Sequence, residues 1–307
     1  MQAEHLGILR AQIEAAKPRS FDPNARPKQP LDHGWLLQYL LAADQFTWGR
    51  WEHWYQIMQA GKVVGESIPQ IEWTPSPTVR KMLENALNSI TRYGGWQGWS
   101  SWQYINYFFE WLLFGLGHDG HKTPPQEPGG AEGASDRLYQ TFNLETLLAF
   151  PSDYFGDILA DNQFGKQSGF FPTPMHVVEM MVRMVIDGDA REKTVCDPCV
   201  GTGRMLLAAS NYSYRLYGCD IDGTVIKATL INGYLYAPWL VKPFPFLDRA
   251  NLDPAQTIKI SNTLARQQSD YHKNTIPEPN GREFAPIKKR KKIDKNLENA
   301  ASDIFGS

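Results

Sequence analysis

Three short stretches of this chain carry residue types that could hold and position a ligand. The first is Asp197-Pro-Cys-Val-Gly-Thr-Gly203, with a β-like run at 194–196 before it and a helical pattern at 204–210 after it. Glycines at 201 and 203 let the backbone take up positive φ and approach a ligand closely. Strand, glycine loop and helix in that order form a nucleotide-cofactor cradle, with 194–196 expected as a short buried strand. The second stretch is the β-like run 214–219, which ends in Asp220-Ile-Asp222, seventeen residues beyond Gly203. A carboxylate at that strand end can accept both hydroxyl protons of a ribose. The third is Gly169-Phe-Phe-Pro-Thr-Pro174. Thr173 reads there as an N-cap and Pro174 as the first residue of a helix over 175–186. That helix is expected to bury Val177, Val178, Met181, Met184 and Val185, and its start could meet one end of the ligand with the ring of Phe170 or Phe171 against it.

The loop narrows the ligand. Leu206 occupies the third glycine position of a dinucleotide fingerprint, and no Gly-Lys-Ser/Thr follows as in a Walker loop. A cofactor with a ribose but no pyrophosphate fits, and S-adenosyl-L-methionine is the obvious one. Its methionine end would then lie against the start of the helix at 175. Cys196, Cys199 and Cys219 all fall in this region, which argues against a disulfide scaffold and for a reducing compartment. Cys196 and Cys199 could also be a zinc or redox pair, although no second pair exists. His118 and His121 could bind a metal but have no third ligand nearby in sequence, so no metal site is expected.

The elements that must position these residues divide by composition. Residues 1–32 are polar and proline-bearing and read as a loose arm after a short helix at 3–16. Residues 33–150 read as a helical domain. Trp35, Leu36, Tyr39 and Leu40 repeat at helical spacing, as do Trp48, Trp51, Trp54 and Tyr55. Residues 78–92 form an amphipathic pattern, and 101–116 is apolar almost all round, as in the middle of a bundle. Nine of the ten tryptophans lie between Trp35 and Trp111. Such rings pack a helical core, and interleaved aromatics can also stack on nucleobases. Residues 118–135 are a linker by composition. Residues 151–253 alternate β-like runs with helical patterns, the mark of a βαβ arrangement. Pro243-Phe-Pro-Phe246 falls where a third strand is expected. Residues 254–307 are a polar, basic tail containing Lys288, Lys289, Arg290, Lys291 and Lys292. That run could neutralise phosphates of DNA or RNA, or could be a solvated tail.

Asp157-Ile-Leu-Ala-Asp161, Gly169-Phe-Phe-Pro-Thr-Pro174, Asp197-Pro-Cys-Val-Gly-Thr-Gly203, Tyr217-Gly-Cys-Asp-Ile-Asp222 and the run 228–232 together resemble the N6-adenine DNA methyltransferase family, specifically the modification subunits of type I restriction systems. The resemblance covers roughly residues 154–236, and the helical region ahead of it resembles the family's N-terminal domain in position. It implies that Phe171, Thr173 and Pro174 flank the methionine part of S-adenosyl-L-methionine. It also implies that Asp197, Gly201 and Gly203 form the loop beneath the cofactor, and that Asp220 takes the ribose. DNA is the partner it implies, and restriction-modification the setting.

One expected motif is missing from this sequence. Enzymes that methylate the amino group of a DNA base carry an Asn/Asp-Pro-Pro-aromatic tetrapeptide, which orients that amino group of the flipped base and stacks a ring on it. No such tetrapeptide occurs, and Pro243-Phe-Pro-Phe246 has Lys242 ahead of it. The expected architecture is therefore α/β: a truncated Rossmann-like methyltransferase sheet behind a Trp-rich helical domain. Its open edge must be covered by the helical domain, the tail or another chain. Two functions compete. One is a cofactor-binding family member whose catalysis is completed by a partner, or lost. The other is a non-enzymatic DNA-binding or scaffold protein of a mobile element or defence system. A methyltransferase acting on RNA, protein or a small molecule is a weaker third.

Composition sets the outer bounds. The 307 residues allow one large domain or two small ones, with 42% hydrophobic and 21% charged residues. A formal net charge of −2 excludes a uniformly basic nucleic-acid coat. No leader peptide and no run long enough to span a bilayer is read, so a soluble, cytoplasmic protein is expected.

Overall fold

The computed structural model describes residues 32–65, 67–91, 95–96, 101–162, 170–244 and 246–247. All lie in the first of two compact units, Met1–Asn262. The expected helix at 3–16 and the basic run from Lys288 to Lys292 lie outside the described residues.

The chain begins with helices whose apolar spacing was legible: α1 (Trp35–Asp44), α2 (Arg50–Ala60), α3 (Pro77–Ile90) and α4 (Ser101–Gly115). Ser76 caps α3 and a proline opens it. Helix α4 buries ten of its fifteen residues, as expected of a central helix. Trp35, Trp51, Trp73, Trp96 and Trp111 are buried, and the Phe108 ring meets those of Phe109, Trp111, Phe142 and Phe155 at separations of 6.0–6.5 Å. The aromatics of this region therefore pack a core.

Residues 118–135 are not a free linker. Pro128, Ala131 and Ala134 are buried, and the Glu127 carboxylate accepts from Gly133 N and Ser135 N at 2.7 and 2.9 Å. Its prolines and glycines shape a packed loop, which leads into α5 (Ala134–Thr141) and α6 (Leu144–Ala149). Helix α7 (Tyr154–Asp161) follows, capped by Asp153, and then α8 (Met175–Val185).

The α/β part is β1 (Thr194–Asp197), α9 (Arg204–Ala209) and β2 (Arg215–Gly218), followed by α10 (Gly223–Tyr236) and α11 (Pro238–Val241). β1 and β2 pair in parallel with Cys196 opposite Tyr217 and Asp197 opposite Gly218. This is the expected β-α-β order, in a sheet of two strands among the described residues. Three expectations need correction. First, β1 is not buried: it alternates exposed and half-buried residues, the pattern of a strand with one face uncovered among the described residues. Second, the described residues of 243–246 form no third strand: Phe244 and Leu247 turn instead into the cluster with Tyr214, Leu216 and Trp239. Third, α8 buries Val178 and Val182, while Met181, Met184 and Val185 face outward at 42, 77 and 80% exposure.

One core runs from the helical region into the α/β part, joining α1, α3 and α4 to Leu207 and to Val225, Ile231 and Tyr234 of α10. Arg50, fully buried, fastens the same junction. It donates to Pro69 O, Ser210 Oγ and Tyr236 O at 2.7–2.8 Å and to Asn211 Oδ1, and it lies over the Trp239 ring at 5.2 Å. A buried guanidinium is tolerable only when its donors are satisfied in this way. Among the described residues, no helix is long and apolar enough to cross a membrane.

Candidate cofactor pocket

A cavity of about 360 Å³ opens at the carboxyl ends of the two strands, where ligands bind in open α/β sheets. It falls in the size range of small-molecule clefts, about 300–1,000 Å³. Three segments surround it, 170–173, 197–205 and 220–225, and Val178 of α8 completes the lining.

The floor is the loop after β1. The Asp197 carboxylate accepts from Cys199 N at 3.0 Å, closing a turn at the strand end. Gly201 has φ +54, and a Cβ there would lie 3.0 Å from the Phe170 ring, so a side chain would be strained and would push against the wall. Gly203, at φ +90, stands at the N-cap of α9 with Thr229 behind it rather than the cavity.

Asp220 sits just past β2 and is half-buried. Its Oδ2 accepts from Gly201 N at 2.9 Å and its Oδ1 from Asp222 N at 3.0 Å. The carboxylate thus faces the glycine loop and is fixed at both oxygens. A carboxylate has about four lone-pair sites, so each oxygen keeps acceptor capacity for a ribose hydroxyl. Asp222 serves the fold, capping α10 through Thr224 N at 2.7 Å.

The remaining wall is the strip before α8. Phe171 is 79% exposed and lines the cavity together with Phe170, Pro172 and Thr173. Thr173 does not cap α8. Pro174 holds that position, and its carbonyl accepts from Val177 N and Val178 N. Pro174 is exposed and stands beside the cavity rather than on its lining.

The geometry therefore brings Phe171, Thr173, Asp197, Gly201 and Asp220 to one cavity, with Pro174 and Gly203 directly behind its lining. Arg204, Met205, Ile221 and Val225 also line it and were not singled out from sequence. Their types carried no chemical signal; only their places next to the glycine loop and Asp220 could have pointed to them.

All three cysteines are free thiols. Burial, then the neighbouring Cys196, Cys199 and Asp220, push the Cys219 thiol up, which disfavours a reactive thiolate. His118 and His121 face each other at Nδ1, 2.9 Å apart, and burial pushes His118 down to about 4. Among the described residues, no group of three His, Cys, Asp or Glu could hold a metal ion.

The pocket residues fit S-adenosyl-L-methionine in chemistry: an acceptor carboxylate fixed beside a side-chain-free turn, and an aromatic wall. Comparison with known proteins points the same way. A family model described as N-6 DNA Methylase matches residues 152–237. No curated protein and no solved structure matches the chain. The matched stretch starts at the cap of α7 and ends just after α10, so it contains all three walls of the cavity, both strands and Asp220. Over residues 152–237, a minor part of its length, the chain is similar to the N-6 DNA methylase family.

Proposed function

We propose that the chain binds S-adenosyl-L-methionine in this cavity and works in adenine-N6 methylation of DNA, with methyl transfer completed by a second polypeptide that supplies the acceptor half. The supporting observation is the fixed Asp220 carboxylate facing the Gly201 turn. In this reading Asp220 accepts from the ribose hydroxyls, the loop at 197–203 lies beneath the ligand, and Phe171 closes over the methionine end and keeps water out. The bound cofactor would supply an electrophilic methyl group. Partner completion is supported by the open edge of β1 among the described residues, and by the lack of an Asn/Asp-Pro-Pro-aromatic tetrapeptide in the sequence. The basic run at 288–292 would contact DNA phosphates in this setting.

Calorimetric titration with S-adenosyl-L-methionine tests the reading. Asp220→Ala should weaken binding by about 10- to 100-fold, the worth of one or two charge-assisted hydrogen bonds. Absence of binding by the wild-type chain would overturn it. Deleting residues 282–307 should reduce DNA affinity in a salt-dependent manner; unchanged affinity would remove the basic run from the interface.

The second reading is a non-enzymatic DNA-binding or scaffold protein that keeps the fold. The missing tetrapeptide also favours it. Cofactor binding without protection of a co-expressed plasmid from a methylation-sensitive nuclease, with and without candidate partners, would move the account there.

A further inference from the structure

The residues that line the cavity do not explain what holds its floor and wall at a fixed distance. The floor, at 201–203, and the wall, at 170–173, are about thirty residues apart in sequence and have no strand or helix in common. The structure ties both to one buried side chain, Asp153, which is 1% exposed and lies outside the cavity lining.

The two oxygens of Asp153 have separate tasks. Oδ1 accepts from Gly156 N at 2.9 Å, which caps α7, and from Asn232 Nδ2 of α10 at 2.8 Å. Oδ2 accepts from Thr202 Oγ1 at 2.5 Å and from Arg204 Nε at 2.7 Å. Asn232 also donates to Thr202 O at 2.9 Å, so the loop is gripped at side chain and backbone. Arg204 passes the connection on. It donates to Thr173 O at 3.0 Å, to Asp153 O at 3.2 Å and to Asp157 Oδ1. Its side chain is 11% exposed. Burial works against its charge, and Asp153 and Asp157 more than offset this, so the guanidinium holds its proton more tightly than usual. The closeness of the packing is visible at Gly156, where an added Cβ would collide with Asp153 Oδ2 and lie 2.6 Å from Thr202 Oγ1.

The geometry points to Asp153 as a positioning residue for the pocket: through Thr202 it sets the floor, and through Arg204 and Thr173 it sets the wall that closes over the methionine end of the cofactor. The inference rests on the cofactor reading above but assigns Asp153, Arg204 and Asn232 a part that reading does not need. An ordinary helix cap would use Oδ1 alone. The Oδ2 side, with a neutral and a charged donor converging on it, has no use in capping.

That division makes the test selective. In Asp153→Asn the amide oxygen can keep the bonds to Gly156 and Asn232, while its NH2 faces Arg204 Nε, donor against donor. Asparagine is as good an N-cap as aspartate, so the cap itself should survive. Calorimetry should show S-adenosyl-L-methionine affinity reduced at least about tenfold, the loss of one charge-assisted bond. Affinity for 5′-methylthioadenosine, which lacks the methionine portion, should change by no more than about twofold, since the Thr202 hydroxyl can accept from the new amide and keep the floor in place, and the ribose carboxylate at Asp220 is untouched. Should Asp153→Asn fail to fold, Arg204→Gln alone breaks the link to Thr173 and should show the same ligand-selective loss. Equal loss for both ligands, or no loss in a folded variant, would overturn the assignment while leaving the cofactor reading intact. A wild-type chain that binds neither ligand would overturn both.

Discussion

The helical region and the α/β segment that follows it differ in how much of their apolar surface they cover. In residues 35–149 the large apolar side chains point inward, and Leu40, Val79, Leu83, Ile105, Phe108 and Leu113 are fully buried. In the segment from 170 to 222 much of the apolar surface faces out: Phe171, Met180, Met184, Val185 and Ile221 are 55–81% exposed, and β1 is only half-covered. Val178, Val182, Leu206, Tyr214 and Leu216 form its apolar interior, while its cavity-facing loops are ordered by polar contacts: Asp153 with Thr202, Arg204 and Asn232, and Asp220 with Gly201 and Asp222. A two-stranded parallel sheet is marginal by itself, and parallel sheets are normally covered on both faces. The difference shows how a site can be shaped by hydrogen bonds on the flank of a core that other residues supply.

The largest effect should come from the joint between the two regions. Arg50→Met leaves Pro69 O and Tyr236 O without their donor, and should cost about 3–5 kcal/mol in urea unfolding. A cost below about 1 kcal/mol would mean that the apolar junction alone unites the regions.

Asp44 gives a smaller, pH-dependent effect from the helical side. It is 1% exposed, and burial raises its carboxyl from 3.8 to about 6, against hydrogen bonds from Trp51 N and Arg50 N and the Arg50 charge. The native state therefore keeps a proton that the unfolded chain releases in that window. Stability from this group is full below 3.8, falls as pH rises, and is lost above about 6, by at most about 3 kcal/mol. Asp44→Asn, measured against wild type at about pH 4 and about pH 7, should flatten that slope. An unchanged slope would remove Asp44 as its source.

The smallest effect should be on the outward face of α8. Met184→Ser should change stability by no more than about 0.5 kcal/mol, as at other exposed positions. A loss above about 2 kcal/mol would show that this face is buried in solution and would weaken the contrast between the regions.

The sequence was informative where the signal is local. Periodic tryptophans and leucines marked α1 to α4, and a glycine loop between two β-like runs marked β1, α9 and β2. It misled where a local pattern depends on distant neighbours. The run at 194–196 is buried only if layers cover both faces of its strand, and the apolar residues of α8 are inward-facing only if a layer covers them. Pro243-Phe-Pro-Phe246 has β-like rings, yet its phenylalanines fill the cluster around Trp239. Nothing in the sequence singled out Asp153, because its partners on the glycine loop, α9 and α10 lie 49, 51 and 79 residues away. The faint signal was the pair Asp153 and Gly156 ahead of the glycine loop, with Asn232 in the run after Asp220.

The central claim, that the cavity at the strand ends takes S-adenosyl-L-methionine, is tested most directly by ultraviolet crosslinking of the methyl-labelled cofactor followed by peptide mapping, which needs no turnover. The account predicts label on peptides containing residues 170–174 or 197–222, displaced by excess S-adenosylhomocysteine and greatly reduced in Asp220→Ala. Label confined to other peptides, or label that the competitor does not displace, would contradict it.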